Sequence, residues 1–178
     1  MNLPNKLSLT RMALIPLMVA LMYPNNTFFN LLSAAVFGAA AFTDYLDGHI
    51  ARKEGIVTDF GKFIDPVADK LLVLSAMVML VNQGLMPAWI VVLILARELC
   101  VDGLRMVASG KGMVIAAGKL GKIKTVTQII LVLWLMILRL PVAGNFFSAV
   151  LALVVVAMTL WSGAEYFINN LHIIRNAK

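Results

Sequence analysis

Five aspartates lie in one short stretch of a chain that has only nine acidic residues. Asp44 and Asp47 are three residues apart, and Asp65 and Asp69 are four apart. Residues at these spacings share one face of an α-helix. If each pair lies on a helix and the short connection turns back, four carboxylates converge on one small volume. Asp59 is off both faces, and we expect it to be an ordinary solvated acid.

Four carboxylates in one place indicate a metal site. Like charges a few ångströms apart repel strongly where water is partly excluded, so a positive group must lie among them. Oxygen ligands favour hard cations such as Mg2+ or Mn2+ over Zn2+, which prefers His and Cys. Four carboxylates can hold two such ions, and a pair of divalent ions suits attack at phosphorus.

Small residues and an arginine accompany the aspartates. Gly48 and Ala51 lie on the helix face of the first pair, and Gly61 precedes the second pair. Small side chains let the backbone approach a bulky ligand closely, and the planar guanidinium of Arg52 can bind a diphosphate at two points. Helix packing in membranes also uses small residues, so this pattern alone leaves both interpretations open.

The composition shows which elements must position these residues. The chain is 61% hydrophobic and 13% charged, with a mean hydropathy of +0.92, whereas soluble domains have about 25% charged residues. We therefore predict an all-α integral membrane protein, a single domain over residues 1–178 with six transmembrane helices. The apolar segments that define these helices are 12–23, 28–43, 64–82, 87–108, 123–140 and 147–169.

The second apolar segment, 28–43, is too short to cross the bilayer by itself, because a spanning helix needs about 20 residues. We expect its helix to continue past the membrane surface and to carry the first aspartate pair. Two of the five predicted connections and both termini hold most of the lysines and arginines, while the three opposite connections hold only Arg139. The positive-inside rule then places both termini and the aspartate-rich segment in the cytoplasm, with the active site on that side.

The net charge of +6 is scattered over the ends of separate helices. This distribution favours anionic lipid headgroups or phosphorylated substrates, and we expect no nucleic-acid partner. Cys100 is the single cysteine, so an intrachain disulfide is excluded.

The aspartate segment resembles the signature of a known family, the CDP-alcohol phosphotransferases. It consists of Asp44-x-x-Asp47-Gly48-x-x-Ala51-Arg52, eight further residues, and Gly61-x-x-x-Asp65-x-x-x-Asp69. The resemblance implies that CMP is displaced from a CDP-linked substrate by an alcohol. It also implies a six-helix membrane fold, usually a homodimer, whose polar site opens to the cytoplasm.

The same resemblance implies roles for individual residues. Asp44, Asp47, Asp65 and Asp69 would hold two divalent ions, Mg2+ or Mn2+. Asp69 would also be the catalytic base that activates the acceptor hydroxyl.

A CDP site is implied as well, partly by the N-terminal segment "NLPNKLSLTRMALIP". Bacterial members often carry Pro-Asn-x-x-Thr-x-x-Arg here, and in this chain Ser8 replaces the threonine and keeps its hydroxyl. An interfacial helix in which Ser8 is only a polar residue remains an alternative. The residues implied in CDP binding are Asn5, Ser8, Arg11, Gly48, Ala51, Arg52 and Gly61.

Two further segments, "ARELCVDGLR" and "AAGKLGKIKT", resemble the family members whose acceptor is sn-glycerol 3-phosphate. Arg97 and Arg105 are eight residues apart and share a face of the fourth predicted helix. Lys122 and Lys124 lie at the start of the fifth. Cations in or beside a membrane span need a partner, and the phosphate of the acceptor would provide one for all four residues.

Other interpretations of these cations stay open. Arg97 could instead pair with Glu98 or Asp102, which are its neighbours on the predicted helix. The lysines could extend to lipid headgroups, because long charged side chains place their apolar stems along apolar surface.

Taken together, these residues predict a multi-pass enzyme of the cell membrane. It would transfer a phosphatidyl group from CDP-diacylglycerol to sn-glycerol 3-phosphate, giving phosphatidylglycerophosphate and CMP. Inositol phosphate, serine or phosphatidylglycerol are alternative acceptors. Polyprenyl-diphosphate transferases also carry paired aspartates, but their first motif lacks Gly-x-x-Ala-Arg. A cation transporter is a remote alternative, because no charged relay continues through the other helices.

Overall fold

The computed structural model describes the backbone of residues 3–54, 59–110, 113, 115 and 118–171, and the side chains of 9–43, 67–110, 113, 115, 118 and 120–171. Within this part of the chain all regular secondary structure is helical, and there are six α-helices. They are α1 (Leu3–Met22), α2 (Thr27–Glu54), α3 (Asp59–Asn82), α4 (Ala88–Gly110), α5 (Lys119–Leu138) and α6 (Phe146–Asn169). Each predicted apolar segment coincides largely with one helix, so the all-helical class and the helix count are confirmed.

The second helix is longer than its apolar part. α2 has 28 residues, which at 1.5 Å per residue is about 42 Å, more than the hydrocarbon thickness of about 30 Å. Its apolar stretch covers Thr27–Thr43, and the remainder carries Asp44 and Asp47. The prediction that this helix continues beyond its apolar segment with the first aspartate pair is confirmed.

Two of the described helices are long and apolar enough to cross a bilayer by length and composition. They are Leu120–Leu138 and Phe146–Asn169. Shorter apolar stretches occur at Leu9–Met22 and Thr27–Thr43. α4 fails the same criterion because Arg97, Glu98, Asp102 and Arg105 interrupt its apolar sequence.

The chain divides into two compact units. The first unit comprises Met1–Met86 and Val132–Pro141, and in it α1 packs against α2 and α3, which also contact each other. Met18, Phe37 and Leu72 are fully buried there. The hydroxyl of Ser33 donates a hydrogen bond to the carbonyl of Met18 at 3.0 Å, as expected where water is not available to a buried polar group.

Polar contacts join the ends of three helices within the first unit. Gln83 Nε2 donates to the carbonyl of Met22 at 2.7 Å and to Asn30 Oδ1 at 3.0 Å. Arg139 Nη2 donates to Asn25 Oδ1 at 2.6 Å, and both residues have a positive φ, 54° and 51°. These bonds provide a partner for a carbonyl at the end of α1, which has none within its own helix.

The second unit comprises Pro87–Leu131 and Val142–Lys178. In it α4 packs against α6, around a cluster formed by Val101, Leu104, Ala108 and Tyr166. α6 begins after Asn145, whose side chain accepts a hydrogen bond from the Ser148 amide at 3.0 Å, the usual N-cap arrangement. This packing places the polar residues of α4 beside α6.

Candidate active site

The first group of candidate residues lies on two aspartate-bearing helix segments of the first unit. Asp44 and Asp47 lie on α2, and Asp65 and Asp69 lie on α3. Both helices are continuous at these positions, so each pair shares a helix face as predicted. Since α2 and α3 contact each other in the first unit, the backbone is compatible with convergence of the two pairs. The side chains of Asp44, Asp47 and Asp65 lie outside the described residues.

Asp69 is the one predicted metal ligand whose side chain the structure describes, and it is half-buried. Among the described side chains no group of three or more His, Cys, Asp or Glu could hold a metal ion. The other three aspartates are not among them, so the ligand set stays a prediction. The donor set itself, four carboxylates, fits a hard divalent cation and does not suit zinc.

The residues predicted to bind CDP lie on three helices of the first unit. Arg11 on α1 is buried, with only 1% of its surface exposed. Asn5 and Ser8 lie on the same helix. Their side chains, and those of the α2 and α3 residues Gly48, Ala51, Arg52 and Gly61, are outside the described residues. A guanidinium buried in a helical unit needs compensating polar groups, which sets Arg11 apart from an ordinary surface arginine.

A second group of candidate residues lies in the second unit, where α4 faces α6. Arg97 Nη2 donates to Ser162 Oγ at 3.1 Å, and Arg105 Nε donates to the hydroxyl of Tyr166 at 3.0 Å. Two residues of α4 therefore contact two residues of α6 that are one turn apart. The prediction that Arg97 and Arg105 share a helix face is confirmed.

Glu98 forms ion pairs with two of the predicted phosphate-binding cations. Arg97 Nη1 donates to Glu98 Oε1 at 3.0 Å, and Lys124 Nζ donates to the same oxygen. Glu98 is 8% exposed and Lys124 is 3% exposed, so the group of three charges is largely shielded from water. The alternative in which Arg97 pairs with Glu98 is confirmed, and Lys124 shares that carboxylate.

Glycines make room for Arg97. A Cβ added to Gly163 on α6 would lie 3.2 Å from Cγ of Arg97, and one added to Gly121 on α5 would lie 3.9 Å from its Nη2. Arg97 Nε is buried and has no hydrogen-bond partner among the described residues. The arginine is thus closely enclosed while one of its donors is still available.

Among the described residues, Arg105 contacts the aromatic side chain of Tyr166. Its Nε donates to the Tyr166 hydroxyl, and its guanidinium carbon lies 5.5 Å from the centre of the Tyr166 ring, close enough for a cation–π interaction. The hydroxyl contact uses Nε alone, and the two terminal nitrogens of an arginine are the pair that binds a phosphate in bidentate fashion. Tyr166 was not predicted; a tyrosine one turn after Ser162 in a largely apolar helix is the signal that could have indicated it.

The two lysines of α5 occupy different environments. Lys122 is exposed and Lys124 is buried. Residues two apart on a helix point about 200° away from each other, so one face of α5 cannot present both. The two lysines therefore contribute to any shared site from different sides of their helix.

The comparison with known proteins decides the family. The model of the CDP-alcohol phosphatidyltransferase family matches residues 1–161. The chain belongs to this family. Membership confirms the resemblance predicted from the aspartate register, and it identifies the chain as a transferase of phospholipid biosynthesis.

Several relatives match over nearly the whole chain, and each is named CDP-diacylglycerol–glycerol-3-phosphate 3-phosphatidyltransferase. The protein from Bacillus subtilis is 47% identical over 183 residues, covering 95% of both chains. The protein from Rickettsia typhi is 38% identical over 92% of this chain and 89% of its own. The protein from Salmonella choleraesuis is 37% identical over 93% of this chain and 92% of its own.

Proposed function

We propose that this enzyme transfers the phosphatidyl group of CDP-diacylglycerol to sn-glycerol 3-phosphate, giving phosphatidylglycerophosphate and CMP. The observation that carries the proposal is the 47% identity to a relative of that name over 95% of both chains. The arginines held between α4 and α6 support a phosphorylated acceptor, because a fixed guanidinium is a specific phosphate ligand.

The aspartates of α2 and α3 are the proposed catalytic centre. Asp44, Asp47, Asp65 and Asp69 would hold two divalent ions, Mg2+ or Mn2+, which when bound neutralise charge on the diphosphate and on the departing CMP. Asp69 would act as general base. The acceptor oxygen forms a bond to the phosphorus of the lipid, the bond from that phosphorus to the CMP oxygen breaks, and the hydroxyl proton passes to Asp69.

The CDP part of the donor is proposed to lie against α1, α2 and α3. The buried guanidinium of Arg11 supports this position, because it places a fixed positive charge in the same unit as the aspartates. The full set of proposed CDP-binding residues is Asn5, Ser8, Arg11, Gly48, Ala51, Arg52 and Gly61.

The acceptor phosphate is proposed to bind Arg97, Arg105, Lys122 and Lys124. Contacts with Ser162 and Tyr166 support this site. They fix the two arginine side chains before the ligand binds, so less conformational entropy is lost on binding. One charge of this set is compensated by Glu98, and the remaining positive charge favours an anionic acceptor over serine, which carries no net charge.

The proposed setting is the cell membrane. All six helices would cross the bilayer as one domain, residues 1–178, with both termini and the catalytic centre on the cytoplasmic side and a second copy forming a homodimer. The distribution of lysine and arginine supports this orientation. The lipid tails of the donor would then stay in the bilayer while its diphosphate meets the water-soluble acceptor at the surface.

One assay tests the proposal directly. Purified protein in detergent or vesicles is given CDP-diacylglycerol, Mg2+ or Mn2+, and one acceptor from a panel of sn-glycerol 3-phosphate, serine, inositol phosphate and phosphatidylglycerol. We expect CMP release and a lipid with the mass of phosphatidylglycerophosphate with the first acceptor alone. Asp69→Asn is expected to lower kcat about 10²- to 10⁴-fold. Product from another acceptor, with none from sn-glycerol 3-phosphate, would contradict the proposal.

A further inference from the structure

Glu98 has no role in the proposed bond-forming step, but it contacts two of the proposed acceptor-phosphate ligands. One of its carboxylate oxygens accepts hydrogen bonds from two cations on different helices, Arg97 on α4 and Lys124 on α5. Two positive side chains placed side by side in a poorly solvated region repel each other. The shared carboxylate oxygen therefore offsets the repulsion between these two cations.

The rest of the surroundings fix the orientation of Arg97. Glu98 binds one terminal nitrogen of the guanidinium, and Ser162 on α6 binds the other at 3.1 Å. Gly163 lies close to the aliphatic part of the same side chain. Removing the carboxylate would leave Arg97 with Ser162 and would leave Lys124, which is 3% exposed, beside a second positive charge. The position of Lys124 next to Arg97 would then be less favourable, because like charges repel.

We propose that Glu98 is a positioning residue for the acceptor: it does not touch the substrate but holds Arg97 and Lys124 at the spacing that binds the acceptor phosphate. This inference rests on the proposed function. A positioning role also explains why a carboxylate lies beside a proposed anion-binding site. Direct contact between Glu98 and the phosphate would be repulsive, whereas contact with the two cations is attractive. With Glu98 in place, the three side chains carry one net positive charge at a fixed position.

Two variants of Glu98 test this role. Glu98→Gln keeps the size of the side chain and removes its charge, and we expect the KM for sn-glycerol 3-phosphate to rise about tenfold or more, the effect of losing a hydrogen bond to a charged group. The KM for CDP-diacylglycerol is expected to stay within about twofold. Glu98→Asp withdraws the carboxylate by one methylene, and we expect a smaller rise of about threefold in the same KM.

The split between KM and kcat separates positioning from stability. A residue that only stabilises the fold lowers the fraction of active enzyme, and so lowers kcat and Tm without changing either KM. Because breaking a buried ion pair can unfold a protein, Glu98→Asp keeps the test decisive when Glu98→Gln cannot be purified. An unchanged KM for sn-glycerol 3-phosphate in the variants that fold overturns the inference.

A double variant checks that Glu98 acts through its partner. Lys124→Met is expected to raise the same KM, and Glu98→Gln with Lys124→Met is expected to raise it by less than the product of the single effects, since the two residues share one interaction. A product of the single effects overturns the inference. Glu165→Gln makes the same chemical change at a half-buried glutamate of the same unit and is expected to leave the KM unchanged.

Failure of this inference is distinguishable from failure of the proposed function. If the wild-type enzyme forms no phosphatidylglycerophosphate from sn-glycerol 3-phosphate, the proposed function is wrong. If the wild-type enzyme forms it and the Glu98 variants show a normal KM, only the role of Glu98 is wrong.

Discussion

The aspartate segments of α2 and α3 differ from the cations of α4 and α5 in how their charges are compensated. On α4 and α5, Glu98 pairs with Arg97 and Lys124, so positive and negative groups of the chain itself lie together. On α2 and α3, four side chains of one sign stand at helical spacing on two helices that contact each other. Compensation inside the chain fixes the positions of Arg97, Glu98 and Lys124 before any ligand binds. The two divalent ions proposed above would offset the accumulated negative charge of the four aspartates.

The largest effect is expected from removing an aspartate, which tests whether the carboxylates of α2 and α3 bind metal ions. Asp44→Ala or Asp65→Ala should lower activity at least about a hundredfold at every concentration of Mg2+ or Mn2+, because a lost ligand cannot be replaced by more metal. Rates of CMP release measured over a metal titration check this.

Asp59→Ala is the matched control for that experiment. Asp59 belongs to the same acidic stretch but begins α3 and is off the face of Asp65 and Asp69, so near-normal turnover is expected. Substantial turnover in Asp44→Ala or Asp65→Ala at high metal concentration would remove the metal assignment. Equal losses in all three variants would show that general charge, and not the helical register, is what matters.

The sequence alone could predict the helices and the aspartate register, because both depend on local periodicity. Six apolar segments match six helices, and the continuation of α2 to Glu54 follows from the shortness of its apolar part. The opposite environments of Lys122 and Lys124 were also predictable, from the 100° rotation per residue of a helix.

The contacts of the α4–α6 region could not be predicted in the same way. Glu98 and Lys124 are 26 residues apart in sequence, and Arg105 and Tyr166 are 61 apart. Periodicity shows which residues share a face of one helix, but it does not show which face of another helix they meet. The sharing of one carboxylate by two cations therefore became visible only in the packed structure.

The next largest effect is expected from removing one of the arginines that lie between α4 and α6. Arg105→Ala should raise the KM for sn-glycerol 3-phosphate about 10- to 100-fold, the range for lost hydrogen bonds between charged groups, with a much smaller change in the KM for CDP-diacylglycerol. Tyr166→Phe keeps the ring beside the guanidinium and removes the hydroxyl contact, so a rise of about threefold is expected. Equal losses for both substrates in steady-state kinetics would count against an acceptor-phosphate site here.

A smaller effect is expected where the backbone of α6 approaches Arg97. In Gly163→Ala the new Cβ would lie 3.2 Å from Cγ of Arg97, so the side chain must shift by a few tenths of an ångström. We expect the KM for sn-glycerol 3-phosphate to rise about two- to fivefold. Tm should change little, because alanine favours a helix over glycine by about 1 kcal/mol and offsets the crowding.

Gly103→Ala on α4 is the matched control, since a Cβ there meets nothing within 4 Å. It is expected to leave the KM unchanged and to raise Tm slightly. A higher KM in both glycine variants would show that any methyl group added to α4 or α6 disturbs acceptor binding. The effect of Gly163→Ala could then not be attributed to a shift of Arg97.

The smallest effect is expected at a buried polar residue of α5 and tests whether its hydrogen bonds are satisfied, as the charge of Lys124 is by Glu98. Gln128 lies one turn after Lys124, is 3% exposed, and its Nε2 has no hydrogen-bond partner among the described residues. A buried donor without an acceptor costs about 1–3 kcal/mol. Gln128→Leu is therefore expected to raise Tm by a few degrees, about 2–4 °C per kcal/mol in a protein of this size.

Gln83→Leu is the matched control in the first unit, where Gln83 Nε2 donates to Met22 and Asn30. The same substitution there removes two satisfied hydrogen bonds between helices, so Tm should fall. Opposite signs in a thermal unfolding assay of the two variants would show that Gln128 is an uncompensated polar group. A fall in Tm for both would show that Gln128 is already hydrogen-bonded. The buried polar side chains of α5 would then be satisfied at Gln128 as well as at Lys124, which pairs with Glu98.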